Sequence, residues 1–162
     1  MNGQSVSFPW TPNVHRIARP DVGRNYALWI DVPPTYDPNG DEAHPLYLCF
    51  DAMWTYGTVV DTVRLLAPTK DLPKAIVVGV AHDEASYRDV IQLRAMDFTT
   101  TAVDAPALTG VRVSGAELGG AEAFREWVSA EVLTFLNQKF RVSETTFVGH
   151  SFSALFGVHV LF

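Results

Sequence analysis

Polar and apolar residues alternate over residues 14–19 and again over residues 26–32, on either side of a break at residues 20–24. A period of two with a turn between the runs predicts the two strands of an antiparallel hairpin. Residues 1–13 carry two prolines and the aromatics Phe8 and Trp10 without a sustained period, and read as an irregular lead-in. After the hairpin, Pro33, Pro34, Asp37, Pro38, Asn39 and Gly40 make a long turn, because each of these residue types fixes or relaxes φ. Residues 46–50 and 75–81 are then unbroken apolar runs, as expected of parallel strands covered on both faces. Between them Val59, Val60, Val63, Leu65 and Leu66 fall on a helical stripe that Pro68 ends. A longer helix is predicted after Gly119 and Gly120, where Phe124, Trp127, Val128, Val132, Leu133, Phe135, Leu136 and Phe140 recur at three and four residues. Residues 145–148 read as a strand, residues 149–152 as a turn, and residues 153–162 as a helix. Strand, helix, strand, long helix, strand, helix specifies one α/β domain over residues 1–162, with a mainly parallel sheet flanked by helices and an N-terminal antiparallel hairpin.

Composition narrows the function classes. In 162 residues, 18 Asp+Glu against 12 Lys+Arg give a formal net charge of -6. Binding to nucleic acid needs a basic stripe that displaces counterions, so nucleic acid is not an expected partner. The apolar runs are far shorter than the roughly 20 residues that cross a bilayer, so no membrane partner is expected either. A lone Cys49 cannot close an intramolecular disulfide, and the N-terminus lacks the basic-then-apolar layout of a signal peptide. The expected setting is reducing and cytoplasmic.

Chemistry concentrates at Gly149-His150-Ser151-Phe152-Ser153. A strand, a Gly, any residue, a Ser and a helix make a nucleophile elbow, in which small neighbours let the Ser adopt a strained conformation above the sheet edge. The usual pattern has a second Gly where this chain has Ser153. Taken alone, the segment reads equally well as an ordinary strand-to-helix turn.

Further blocks stand in order along the chain: residues 26–36 (YALWIDVPPTY), 45–51 (PLYLCFD), 94–99 (RAMDFT), 119–124 (GGAEAF) and 149–152 (GHSF). With them the chain resembles the esterase D-like α/β hydrolases, most of all the branch of enterobactin and bacillibactin esterases. That resemblance implies an α/β-hydrolase fold and a serine carboxylic ester hydrolase that forms an acyl-enzyme on Ser151 with a small, siderophore-like ester. It also implies an oxyanion hole made by the backbone N–H groups of Phe152 and Met53. Similar enzymes place a Gly where this chain has Ala52, so a positive φ at Ala52 would strain the loop. Asp51, Trp54 and His82 are candidate pocket residues, with a loop-capping role the alternative for Asp51.

The other polar residues have plainer readings. His150 points away from its neighbour Ser151 and packs or bonds beneath the sheet. His159 sits on a helix face, and His15 and His44 are solvated. Arg94 and Asp97 tie a loop together, with substrate contact the lesser alternative, and Cys49 fills the core. No His, Cys, Asp or Glu set has metal-ligand spacing, and no phosphate-binding Gly-rich loop is present, so neither metal nor cofactor is expected. In similar hydrolases the triad acid and His follow the Ser. Only 11 residues follow Ser151 here, so the expectation is that the acid, the His and the C-terminal strands lie outside this chain. The expectation is that residues 1–162 need further polypeptide, either a continuation or a second chain, to cover an apolar strand edge. The alternative function is a non-catalytic α/β binding or interaction module, or an inactive fragment lacking the triad acid and His; a flavodoxin-like nucleotide binder is disfavoured for lack of a phosphate loop.

Overall fold

A computed structural model describes residues 12–83, 86–101 and 118–161; most of the expected lead-in lies outside them. Strands β1 (Asn13–Arg19) and β2 (Arg24–Asp31) form the antiparallel hairpin, joined through a 3₁₀ turn at Pro20–Val22 and Gly23 at φ 65, a left-handed conformation that glycine adopts without strain. The apolar runs become β3 (His44–Phe50) and β4 (Ile76–His82), which pair in parallel. β5 (Val142–Val148) adds in parallel on the far side of β3, and β2 closes antiparallel on β4. The sheet order is therefore β1-β2-β4-β3-β5.

Alternation along the strands sorts the core into two layers. Leu28, Phe50, Ile76, Val78 and Val80 face one side, where Phe98, Phe124, Trp127, Leu136 and Phe156 pack on them. Phe50, Phe98, Phe124 and Phe156 are each no more than 1% exposed, and burying one such ring contributes roughly 1.5–3 kcal/mol. Ala27, Cys49, Val77 and Ala81 face the other side, against Ala52, Tyr56, Val60 and Val63 of α1 (Ala52–Leu66). Gly79 allows this close approach, since a Cβ there would lie 2.8 Å from Ala52 Cβ and 2.9 Å from the Tyr56 ring.

The structure departs from the sequence pattern in several places. Arg94 and Asp97, read as tying a loop, lie instead on helix α2 (Tyr87–Phe98). The predicted long helix is α3 (Ala121–Trp127), a π-helical stretch Val128–Leu133 and α4 (Thr134–Lys139) in continuous succession. Trp127 leads into the π stretch and donates from Nε1 to the Ala18 carbonyl (3.0 Å), fastening this helix to the hairpin. Leu65 is 73% exposed, because the buried stripe of α1 runs through Thr55, Tyr56, Val60 and Val63 instead. His44 is buried rather than solvated, its Nδ1 lying 3.2 Å from the Lys74 carbonyl. His15 is exposed but stacks on Phe135. Among the described residues β5 pairs only with β3, yet its exposed positions, Ser143 to Thr146, are polar. The exposed apolar surface lies instead on the final helix α5 (Phe152–Leu161), at Leu155, Val158, Val160 and Leu161.

Candidate active site

β5 ends at Val148 and α5 begins at Phe152, and the turn between them holds Ser151 at φ 57. A serine in the left-handed region is uncommon and is held there only by what surrounds it. A Cβ on Gly149 would come within 2.7 Å of the Phe147 ring and of the Ser153 backbone, so only glycine fits. Ser153, in the place of the second glycine, is fully buried and bonds back to the turn. Its Oγ accepts from the His150 N–H (2.8 Å) and donates to the His150 carbonyl (2.9 Å). The departure from the usual pattern therefore closes the turn rather than loosening it.

A second turn of the same kind lies alongside. β3 and β5 run in parallel with Cys49 opposite Val148, and adjacent strands lie roughly 4.8 Å apart. Beyond Cys49 the chain turns at Asp51 (φ 57) into α1. The positive φ falls on Asp51 and not on Ala52, which is helical, and a short polar residue tolerates the left-handed region best after glycine. Thr55 fastens this turn by donating to the Phe50 carbonyl (2.8 Å). Met53 and Phe152 thus stand in the first turns of α1 and α5, where N–H groups have no partner within the helix.

Ser151 opens on a cleft of about 440 Å³ between α1, α2 and the end of β5. Its lining includes Trp54, Tyr87, Ile91, Arg94 and His150, with Thr58 and Val59 of α1. Trp54 is 39% exposed and meets Tyr87 edge-on. His150 is exposed in this cleft rather than packed beneath the sheet. Met53 and Phe152 are not among its lining side chains. Asp51, Met53, Trp54 and His82 instead border a small adjoining cavity of about 20 Å³. The Asp51 carboxylate is fully buried and paired with Arg94, which donates from Nε to Oδ1 (2.8 Å) and from Nη2 to Oδ2 (2.5 Å). Asp51 therefore neither opens on the Ser151 cleft nor caps α1, which has no side-chain cap.

The described residues hold two His–acid pairs, and neither adjoins Ser151. His82 is 4% exposed in its side chain, with Nε2 2.9 Å from Asp97 Oδ2. Asp97, fully buried, also accepts from Arg19 (2.7 Å) and from the Tyr26 hydroxyl (2.6 Å), and burial together with this carboxylate pushes the Tyr26 phenol up. His82 thus joins a buried cluster pinning α2 to β1, β2 and β4, and its place in a substrate pocket is not supported. His159 lies 3.2 Å from Glu122, eight residues and about 12 Å along α5 from the elbow. Hydrogen bonding from Arg125, with His159 adding to it, lowers Glu122 to about 2. No group of three or more His, Cys, Asp or Glu among the described residues could hold a metal ion. None of the helices searched is long and apolar enough to cross a membrane.

No family model matches the sequence, and no curated protein is found similar to it. Solved structures are similar. The BES protein from Bacillus cereus superposes with a TM-score of 0.77 at 20% identity, over 98% of this chain and 60% of that one. Siderophore hydrolase EstA from Aspergillus nidulans gives 0.77 at 19% identity, over 99% and 55%. An IroE-like serine hydrolase from Shewanella oneidensis gives 0.74 at 22% identity, over 93% and 46%. The fold is that of an α/β hydrolase. Within it the five-stranded sheet, its N-terminal antiparallel hairpin and the flanking helices correspond to about half the length of each of these structures.

Sequence reasoning missed α2 and with it Tyr87 and Ile91 as site residues, and held substrate contact by Arg94 only as the lesser alternative to a loop tie. The signal is present as a stripe at Val90, Leu93, Arg94, Asp97 and Phe98, with helical spacing, all of them buried. It is complete only when the two charged residues are counted as inward-facing.

Proposed function

We propose that the protein is a serine carboxylic ester hydrolase with Ser151 as its nucleophile. The observation that carries this is Ser151 itself, held at φ 57 between a parallel strand and a helix and opening on a cleft beside a second left-handed turn. In this reading Ser151 Oγ attacks the ester carbonyl and passes its proton to a base. The tetrahedral oxyanion takes hydrogen bonds from the Phe152 and Met53 N–H groups, the alcohol leaves, and water releases the acid from the acyl-enzyme. Trp54 and Tyr87 supply apolar surface for the acyl or alcohol group. The solved structures named above include a siderophore hydrolase, which supports a small, siderophore-like ester as substrate. In this reading the catalytic His and its acid come from further polypeptide, since among the described residues neither His–acid pair stands near the elbow and His150, beside Ser151 in the cleft, is paired with no acid.

Hydrolysis of p-nitrophenyl acetate by the natural full-length protein tests the reading. The expected result is turnover that drops at least 1,000-fold in Ser151→Ala, in keeping with loss of a nucleophile. Equal rates in the two proteins would instead favour a binding module that keeps the elbow without its chemistry.

A further inference from the structure

We propose that Arg94 is a positioning residue that clamps together the two turns carrying the Met53 and Phe152 N–H donors. Its catalytic meaning rests on the esterase reading above, whereas the clamp itself rests on geometry alone. Arg94 lies on the buried face of α2, and its guanidinium makes a two-pronged pair with Asp51, the left-handed residue two positions before Met53. The same guanidinium carbon lies 5.1 Å from the Trp54 ring centroid and 5.2 Å from that of Phe152. Trp54 follows Met53, and Phe152 follows Ser151. One planar cation therefore contacts the residues that frame both donor turns.

The energetics suit positioning better than stabilisation. The Asp51 side chain is wholly buried and that of Arg94 is 10% exposed. Desolvating such a pair cancels much of its attraction, so its worth lies in fixing one geometry. Arginine can do this because its rigid fork matches a carboxylate and its flat face stacks on rings, whereas a lysine offers a point charge. α2 is itself anchored one turn further on, where Asp97 takes up Arg19, Tyr26 and His82. The clamp thus transmits a fixed reference from the sheet to both turns.

The test compares the natural protein with Arg94→Lys, which keeps the charge and loses the fork, and with the double variant Arg94→Met/Asp51→Asn, which strands no charge. Amide hydrogen exchange is followed over residues 51–55, 150–153 and, as reference, 76–82. The clamp predicts exchange at least tenfold faster in both turns of both variants, with the reference strand unchanged. Where Ser151 reacts with a fluorophosphonate, the maximal rate should fall about 100-fold at an unchanged half-saturating concentration, as for misplaced oxyanion donors. Faster exchange in only one turn, unchanged exchange, uniform loosening that includes the reference strand, or a full rate in Arg94→Lys would each overturn the clamp. If the natural protein does not react while both turns loosen together, the esterase reading falls and the clamp stands.

Discussion

Ser151, Asp51 and Ser153 show how single residues set the site. Two residues take a left-handed backbone at the ends of neighbouring parallel strands, and each turn is secured by a nearby hydroxyl, Ser153 for one and Thr55 for the other. The first of these was legible, because a Gly-x-Ser between strand and helix has one well-known geometry. The second was raised only as a condition on Ala52, where glycine is usual, and the positive φ falls on the polar residue before it. Cys49 was legible as core, and burial pushes its thiol from an ordinary value of 9.0 up to about 12. The folded value exceeds the unfolded one, so the associated stability is present below pH 9 and is lost as pH rises from there towards 12. Between pH 8 and 10.5 the natural protein should lose about 2 kcal/mol more than Cys49→Ala, as urea midpoints would reveal. Parallel losses in the two would contradict that assignment.

Among the elements, the strands were easier to read than the helices, for a physical reason. Buried strands draw on continuous apolar runs, and those of β3 and β4 are too short for a helix and too apolar for a surface strand. α2 is different: it buries Arg94 and Asp97 within its apolar stripe, so a count of hydrophobic residues alone breaks the period. What makes burial tolerable is complete pairing, each charge meeting a partner from another element. Removing Asp97 should therefore be severe, because it leaves the buried Arg19 with only the half-exposed Asp21 as a charged partner and takes the acceptor from Tyr26 and His82. Asp97→Ala is expected to cost about 3–5 kcal/mol in urea unfolding, with the slope unchanged. A loss under about 1 kcal/mol would mean that the cluster does not hold α2.

For the molecule as a whole, the hairpin, the parallel sheet and the two packed layers follow from patterning, and the solved structures share them at about 20% identity. What patterning cannot supply is the chemistry that depends on distant groups. The cleft forms where α1, α2 and β5 converge, so no local motif announces Tyr87 or Ile91 beside Ser151. The polar edge of β5 and the apolar face of α5 likewise emerge only once the sheet order is known. The central claim is that Ser151 is a nucleophile, and mass spectrometry of the natural full-length protein after fluorophosphonate treatment tests it most directly. The account predicts one adduct, on Ser151, that is absent from Ser151→Ala. A folded protein that takes up no adduct, or one whose adduct survives that substitution, would contradict it.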